Sequence, residues 1–375
     1  MLDQNIVCEE LKKNGVTFFT GVPDSYLNGF CNYILKNYPE RNIIAANEGN
    51  AVGIAAGHYI ASKEIPLVYM QNSGLGNTVN PLVSLADEHV YSIPMILLIG
   101  WRGQPGTGDW PQHELQGEIT TKLLDVMNIP YTILEDDNSK IGEVIEKAVS
   151  YAKETRRSYA LIAPKGVMAG EKANNKDDLY PLSREEAIET VLDNMPEDTV
   201  YSATTGRATR ELFFLRERRN ESRKNDFLNV GSMGHASSVA LGIALEKKNR
   251  QVVCFDGDSA AILHLGALTM VSKLDCPNFL HIVLNNGAHE SVGGQPSAGY
   301  LVDFTKIAES CGYETVGKAA ENKEELISAV KQLSSRKKAG FIEVKIHKGL
   351  SGKLPPLDFS HREAIDDLIS ELNKD

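Results

Sequence analysis

Two neighbouring segments late in the chain carry the side chains best suited to bind a metal ion. Asp258 follows the apolar run QVVCFDG (251–257), and the next apolar run (278–286) ends in Asn285 and Asn286. Parallel strands joined by one helix would place these side chains at the same sheet edge. Carboxylate, amide and main-chain oxygens are the ligands that Mg²⁺ prefers, and Mg²⁺ there can carry a diphosphate. The alternative interpretation is a helix-capping aspartate beside an asparagine turn.

Two further segments combine one chemically useful side chain with small neighbours. Glu48 follows the apolar run NIIAA (42–46) and opens a helical pattern rich in glycine and alanine, and Met233 lies in Gly-Ser-Met-Gly (231–234). Glycines let the backbone approach a ligand, and methionine offers polarizable apolar support to a ring. Taken alone, Glu48 is also explained by the helix dipole and Met233 by burial in the core.

The elements that position these residues follow from the alternation of short apolar runs with amphipathic segments, which predicts an α/β fold. The predicted strands are 16–22, 42–46, 66–71, 93–101, 131–134, 159–163, 199–204, 226–230, 251–257, 278–286 and 340–346, and predicted helices include 3–14, 26–38, 48–62 and 140–155. Strict alternation implies right-handed crossovers. We therefore expect two doubly wound, mainly parallel sheets with helices on both faces.

A polar stretch divides the two halves. Residues 170–183 break the alternation, and Ser183 with Glu186 then forms the pattern of a capping box at a helix start. The sequence thus predicts a first domain over 1–170, a linker over 171–182 and a second domain over 183–375.

Composition excludes several classes of protein. The chain has 39 Lys and Arg against 50 Asp and Glu, a net charge of −11, which argues against nucleic acid or an acidic membrane as a partner. Five scattered cysteines indicate neither a disulfide framework nor a zinc site. No signal-peptide pattern, membrane-span-length apolar run, G-x-G-x-x-G or P-loop occurs. We expect a cytoplasmic protein that binds neither membrane nor nucleic acid.

Gly257-Asp258-Ser259, with an asparagine pair 27 and 28 residues after Asp258, resembles the cofactor motif of thiamine-diphosphate-dependent enzymes. The resemblance implies a thiamine-diphosphate-binding fold in both domains, with thiamine diphosphate and Mg²⁺ as cofactors. By position, Asp258, the side chain of Asn286 and the carbonyl of Ala288 would bind Mg²⁺. Ser259 departs from the last glycine of the motif, but serine is small enough to fit there.

The same resemblance assigns roles to the other segments. Enzymes of this family need a carboxyl group that hydrogen-bonds the aminopyrimidine ring, and Glu48 occupies the corresponding place. A large apolar residue holds their cofactor bent, a role implied for Met233. The cofactor-binding residues implied in all are Glu48, Asn72, Gly231, Ser232, Met233, Gly257, Asp258, Ser259 and Asn286.

The length of the chain narrows the resemblance to the shorter enzymes of the family, because many relatives carry a central domain for which 375 residues leave no room. Segments across the chain look most like the short decarboxylases that act on phosphonopyruvate: 18–25, 72–81, 100–113, 204–212, 231–236 and 284–297. The resemblance implies decarboxylation of 3-phosphonopyruvate to phosphonoacetaldehyde and CO₂, in a homodimer or larger oligomer with sites between subunits. Sulfopyruvate decarboxylases often divide the two halves between polypeptides, so the fused chain favours the phosphonate. A sulfopyruvate decarboxylase, another 2-oxo-acid decarboxylase or ligase, and a non-catalytic binding protein are the alternatives.

A doubly anionic substrate requires cations concentrated around one cleft of this acidic protein. Arg102 and His113 fall in a Gly/Pro-rich segment that we predict to be a loop of the lid type, and His235 is a weaker candidate. The substrate-binding residues implied are Ser25, Arg102, His113 and Arg207. The residues implied for catalysis are Glu48, Asp24, His113 and His289. For a basic residue taken alone, a solvated surface role is the alternative.

Overall fold

The computed structural model describes residues 1–170, 179–350, 354, 357 and 359–374. Contacts within the chain define two compact units, Met1–Ala173 with Ser291–Gln295, and Asn174–Glu290 with Pro296–Asp375. Each unit contains one parallel sheet with helices on both faces, so the predicted fold class is confirmed. Over the described residues, no helix combines the length and apolar character needed to cross a bilayer.

Most of the predicted linker, residues 171–178, lies outside the described residues, so the linker stays a prediction. Its described end packs within the second unit. The Tyr180 ring meets the Tyr300 ring edge-on at a centroid distance of 5.7 Å. The Leu182 carbonyl accepts a hydrogen bond from the His347 amide at 3.0 Å.

The first unit is built on a six-stranded sheet of order β2-β1-β3-β4-β6-β5, in which every described pairing is parallel. Its strands are β1 Phe19–Gly21, β2 Asn42–Ile44, β3 Leu67–Gln71, β4 Ile96–Gly100, β5 Tyr131–Ile133 and β6 Tyr159–Ala163. Its helices are α1 Gln4–Lys13, α2 Asn28–Asn37, α3 Glu48–Ser62, α4 Leu75–Pro81, α5 Pro111–Val126 and α6 Ile141–Thr155. All residues of β4 and β6 are buried, as expected for central strands covered on both faces.

The second unit is built on a five-stranded parallel sheet of order β13-β10-β9-β7-β8. Its strands are β7 Val200–Ala203, β8 Asp226–Leu228, β9 Val252–Gly257, β10 Phe279–Asn285 and β13 Gly340–Lys345; β11 Ala288–His289 and β12 Gln295–Pro296 are two-residue strands outside it. Its helices are α7 Arg184–Asn194, α8 Arg207–Arg218, α9 Ala236–Glu246, α10 Asp258–Leu263, α11 Phe304–Ser310, α12 Lys323–Gln332 and α13 His361–Leu372. The capping box predicted at Ser183 and Glu186 is present at the start of α7.

The pairing of β9 with β10 decides where the metal-binding candidates lie. The two strands are adjacent and parallel, with Gly257 opposite Leu284. Asp258 and Asn285 therefore leave the sheet at the same edge, as the sequence predicts. The helix that follows Asp258 is shorter than the pattern suggests, because α10 ends at Leu263 and a 3₁₀ segment follows over Leu265–Lys273.

The segment predicted as a lid-type loop over 100–113 is only partly a loop, and the prediction that His113 lies in a loop is wrong. Helix α5 begins at Pro111, so His113 lies in its first turn. Proline is favoured at the first helical position because its fixed φ suits the helix and its missing N–H would be unpaired there anyway. The part that is a loop is held by the hydrogen bonds described below.

Candidate active site

In the first unit, a short turn at the end of β3 (Gln71–Gly74) contacts three of the predicted site residues. The Gln71 side chain contacts Asp24, the Asn72 side chain contacts Arg102, and Gly74 lies against Glu48. The carboxyl ends of parallel strands are where open α/β sheets build their sites. The turn therefore connects the side chains of Asp24 and Glu48 and the backbone of Arg102 within one framework.

Glu48 is buried in the first turn of α3, with 6% of its surface exposed. The Asn47 side chain caps this helix by accepting a hydrogen bond from the Asn50 amide. One oxygen of the Glu48 carboxylate accepts a hydrogen bond from Asn77 Nδ2 at 2.8 Å. A Cβ added at Gly74 would lie 2.4 Å from the other oxygen, so only glycine fits against this carboxyl group. Sequence reasoning found Glu48 but missed Asn77 and Gly74.

Asp24 is fully buried above the ends of β3 and β4. Gln71 Nε2 donates to its Oδ1 at 2.6 Å, and the Tyr26 amide donates to its Oδ2 at 3.0 Å. Burial raises the pKa of Asp24, and the hydrogen bonds together with the Arg102 charge only partly oppose this. Asp24 is therefore the buried acid of this unit that is best placed to retain a proton.

The charge of Arg102 is held in place by Asp109. The two side chains form a bidentate ion pair, with Nε to Oδ2 at 2.7 Å and Nη2 to Oδ1 at 2.6 Å, and the guanidinium lies over the Tyr26 ring at 4.8 Å. The remaining terminal nitrogen, Nη1, donates to Ser25 Oγ at 3.2 Å. The Arg102 guanidinium, with the hydrogen bonds it donates, holds the pKa of Asp109 below its usual range despite burial. Ser25 and Arg102, both predicted to bind substrate, are thus in direct contact.

Asp109 also organises the loop that carries Arg102. Its carboxylate accepts further hydrogen bonds from the amides of Gly103 and Trp110, at 2.9 and 2.8 Å, and from the Tyr26 hydroxyl at 3.2 Å. Gly103 has a φ of 67° and packs so closely that a Cβ there would lie 1.8 Å from the His113 carbonyl oxygen. The loop is therefore a folded support for the arginine, and Asp109 is a site residue that sequence reasoning missed.

The side-chain amide of Asn72 forms hydrogen bonds with other residues of the first unit. Its Nδ2 donates to the Arg102 carbonyl at 2.8 Å and to Thr120 Oγ1 at 2.9 Å, and its Oδ1 accepts from the Arg102 amide at 3.1 Å. These contacts make Asn72 a support for the backbone of Arg102. Its predicted contact with the cofactor stays a prediction.

His113 is half-buried, and its Nδ1 atom has no hydrogen-bond partner among the described residues. Burial, reinforced by the positive charge of Arg102, lowers the pKa of His113 to about 4. Its imidazole is therefore neutral at physiological pH. A neutral ring with an unpaired buried nitrogen is suited to accept or donate one hydrogen bond.

In the second unit, Asp258 is buried at the end of β9, with 2% of its surface exposed. Ser297 Oγ donates to its Oδ2. Burial raises the pKa of Asp258 to about 6, although the Ser297 hydrogen bond opposes the shift. A Cβ added at Gly299 would lie 2.4 Å from this carboxylate and 2.5 Å from Asn285 Oδ1, so this glycine lets the backbone pass both side chains.

The two asparagines of the motif have different surroundings. Asn285 Nδ2 donates to the Gly299 carbonyl at 2.7 Å and to Glu343 Oε1 at 2.8 Å, which makes Asn285 part of the scaffold. Asn286 Nδ2 donates to Glu290 Oε2 at 2.9 Å, and its Oδ1 accepts from the Ala288 amide at 3.2 Å. An amide oxygen has two lone pairs, so Asn286 Oδ1 retains one for a cation.

The turn that carries Met233 packs against the helix that begins at Asp258. Ser232 and Gly234 have positive φ values of 47° and 84°, and a Cβ at Gly234 would lie 3.0 Å from the Ala260 carbonyl oxygen. Met233 is half-buried beside them. The turn and the metal-binding candidates therefore belong to one local structure, while the cofactor-supporting roles of Gly231, Ser232 and Met233 stay predictions.

The basic candidates of the second unit make contacts that sequence patterns do not reveal. Arg207 pairs with Glu290 at 2.5 Å and also donates to the Glu290 carbonyl at 3.1 Å, so its predicted contact with substrate stays a prediction. Burial lowers the pKa of His289 to about 4. His235 is exposed and hydrogen-bonded to Ser232 Oγ at 3.0 Å.

Comparison with known proteins identifies the family. Residues 4–126 match the family model described as "Thiamine pyrophosphate enzyme, N-terminal TPP binding domain", and residues 206–344 match "Thiamine pyrophosphate enzyme, C-terminal TPP binding domain". The phosphonopyruvate decarboxylase of Streptomyces viridochromogenes is 34% identical over 319 residues, which cover 80% of this chain and 78% of that protein. This chain belongs to the thiamine pyrophosphate enzyme family.

Within the thiamine pyrophosphate enzyme family, sulfopyruvate decarboxylases are also similar to this chain. That of Methanosarcina acetivorans is 28% identical and covers 96% of this chain and 94% of its own length. Sulfopyruvate decarboxylase subunit beta of Methanocaldococcus jannaschii is 28% identical and covers 49% of this chain and 96% of its own. Because the Methanosarcina protein spans both halves, fusion of the halves does not by itself separate phosphonate from sulfonate substrates.

The residues at the end of β9 and β10 fit the diphosphate and cation of a thiamine pyrophosphate enzyme. They offer a carboxylate on Asp258, an amide oxygen on Asn286 and the main-chain carbonyl of Ala288, all hard oxygen donors. The Ser259 hydroxyl is buried and has no hydrogen-bond partner among the described residues. A buried polar group normally finds a partner, so the unpaired hydroxyl is consistent with a ligand at this sheet edge.

Proposed function

We propose that this protein decarboxylates 3-phosphonopyruvate to phosphonoacetaldehyde and CO₂, with thiamine diphosphate and Mg²⁺ as cofactors. The observation that carries the proposal is 34% identity to a phosphonopyruvate decarboxylase over 80% of the chain. The two family models, over residues 4–126 and 206–344, cover the segments of Glu48 and of Asp258. Arg102, held by Asp109 and in contact with Ser25, supports an anionic substrate.

The cofactor, when bound, supplies an electron sink for the electrons that CO₂ leaves behind. The chain supplies position, charge and protons. Asp258, Asn286 and Ala288 would hold Mg²⁺ and through it the diphosphate. Glu48 would exchange a proton with the aminopyrimidine ring, since its carboxyl group is buried and held by Asn77 and Gly74.

Release of the aldehyde requires a proton on the carbon that has lost CO₂, and three residues are candidates to provide it. His113 and His289, with pKa values of about 4, are neutral at pH 7 and carry no acidic proton to give. Burial raises the pKa of Asp24, which favours its protonated form. We therefore assign the proton to Asp24 and hydrogen bonding to His113.

A phosphonate group carries up to two negative charges and three acceptor oxygens, which a rigid guanidinium recognises well. Arg102 donates to Asp109 through Nε and Nη2. Its third nitrogen, Nη1, donates to Ser25 Oγ, so Nη1 and the Ser25 hydroxyl lie side by side. We propose that Arg102 Nη1 and Ser25 Oγ bind an acidic group of the substrate.

Side-by-side assays decide the substrate. With Mg²⁺ and thiamine diphosphate present, we expect CO₂ release from phosphonopyruvate to exceed release from sulfopyruvate and pyruvate in kcat/KM, because the chain is 34% identical to a phosphonopyruvate decarboxylase and 28% identical to a sulfopyruvate decarboxylase. A coupled assay for CO₂ with identification of the aldehyde measures this. Preference for sulfopyruvate would favour the second candidate function, which the full-length similarity to the Methanosarcina protein supports.

We also propose that the enzyme is a homodimer or a larger oligomer with its sites between subunits. In some sulfopyruvate decarboxylases, counterparts of the two halves occur as separate subunits, alpha and beta, which supports association between such domains. Sedimentation velocity should give a mass of at least two chains under assay conditions. A fully active monomer would refute the shared site.

We place the enzyme in the cytoplasm. All five cysteines are free thiols, and four of them are buried. Free buried thiols are typical of proteins from reducing compartments, since oxidising compartments favour disulfides. The net charge of −11 agrees with a protein that acts on a small molecule and makes no general contact with nucleic acid.

A further inference from the structure

A cluster of charged side chains surrounds Asn286 in the second unit, and none of it was anticipated from the sequence. Its centre is Glu290, whose side chain is 8% exposed. Oε1 of Glu290 accepts from Arg207 at 2.5 Å and from the Gly349 amide. Oε2 accepts from Arg184 at 2.5 Å and from Asn286 Nδ2 at 2.9 Å. Four donors thus converge on one carboxylate.

The second carboxylate of the cluster lies further from Asn286. Glu211 is 1% exposed and accepts from Arg184 Nη1 at 3.3 and 3.4 Å. The cluster therefore contains two arginines and two glutamates, and its formal charges cancel. Glu211 takes part in the same ion-pair network but has no described hydrogen bond to Asn286.

The convergence on Glu290 determines the orientation of the Asn286 amide. A carboxylate that accepts from two arginines is ionised and can only accept hydrogen bonds, so the Asn286 atom that faces it must be the NH₂ group. The oxygen then points away from Glu290, where it accepts from the Ala288 amide at 3.2 Å. The Ala288 amide favours the same orientation, so without Glu290 this single hydrogen bond of 3.2 Å would have to hold the Asn286 side chain.

We propose that Glu290 is a positioning residue that holds the Asn286 amide with its oxygen presented to Mg²⁺, and so sets the affinity for the metal. The inference rests on the proposed function only in taking Asn286 as a magnesium ligand. Arg184 and Arg207 stabilise Glu290 as a fixed anion, and the contact of Arg207 with substrate stays a prediction. Partners that orient metal ligands typically contribute ten- to hundredfold in metal affinity.

The test compares two truncations within the same cluster. Glu290→Ala and Glu211→Ala each remove one carboxylate from the network, but only the first removes the acceptor of Asn286 Nδ2. Equilibrium dialysis of thiamine diphosphate against the full chain, at rising Mg²⁺, gives the half-saturating Mg²⁺ concentration. We expect this to rise by about tenfold or more in E290A and to stay within about twofold of the original value in E211A.

Equal shifts in the two variants, or an unshifted E290A, would overturn the positioning role. If circular dichroism shows that either alanine variant is unfolded, Glu290→Met and Glu211→Met repeat the comparison with side-chain volume nearly kept and the carboxylate acceptor removed, and the same ordering is required. The dialysis needs no substrate, so it is separate from the proposed function. An unmodified protein that binds the cofactor but releases no CO₂ from phosphonopyruvate would refute that function and leave this measurement valid.

Discussion

Replacing Glu48 with glutamine should lower the rate of CO₂ release by about 10²- to 10⁴-fold, the usual contribution of a positioned acid–base group. Glutamine keeps the shape of the side chain and its contact with Asn77, but it cannot gain or lose a proton. Thiamine diphosphate should still bind, since the diphosphate site belongs to the second unit. Single-turnover CO₂ release and equilibrium dialysis of the cofactor measure the two effects separately.

Glu64→Gln is a suitable control, because it makes the same change at an exposed glutamate just beyond the end of α3. Gly74→Ala reaches Glu48 by a second route, since the added Cβ would overlap the carboxylate and displace it. That variant should also lose turnover while keeping the charge. Near-normal turnover of Glu48→Gln with the cofactor bound would exclude the proposed proton exchange.

Asp258→Asn should nearly abolish Mg²⁺-dependent binding of thiamine diphosphate. Loss of residues that only orient metal ligands costs up to about a hundredfold in affinity, and loss of a charged ligand should cost at least as much. The apoprotein should nevertheless be no less stable to heat. Burial disfavours the ionised form of Asp258, as its pKa of about 6 shows, so removing this charge relieves a cost in the folded state.

Loss of cofactor binding together with retained thermal stability would identify Asp258 as a metal ligand and not as a structural aspartate. Asp275→Asn, at an exposed position of the same unit, controls for the change itself. Thermal unfolding followed by circular dichroism, with and without cofactor, gives both quantities. A variant that binds the cofactor normally, or one that loses binding only because it unfolds, would contradict the assignment.

The elements that sequence patterns predict well are those fixed by local rules. Strand–helix–strand alternation determines that β9 and β10 are parallel neighbours, so the common edge of Asp258 and Asn286 follows from the chain alone. The capping box at Ser183 is a four-residue pattern and is equally local. The same local rules allow a helix to start at Pro111, but the glycines that precede this residue favour a loop.

The contacts between distant residues that hold the site side chains cannot be predicted from local sequence patterns. Gln71 meets Asp24 across 47 residues, and Arg184 meets Glu290 across 106. Which side chains pair over such sequence separations depends on how the helices pack against the sheet. The composition of the chain is compatible with many different arginine–glutamate pairs. The ion pair of Arg207 with Glu290 is one such contact that its position in the sequence does not predict.

Each sheet has a hydrophobic core on both of its faces, supplied almost wholly by its own half of the chain. Among the described residues, a gene break between the halves would cut no strand pairing and would divide none of the four cores. Division of the chain into two polypeptides would therefore leave each sheet with its own cores, which agrees with the alpha and beta subunits of some relatives.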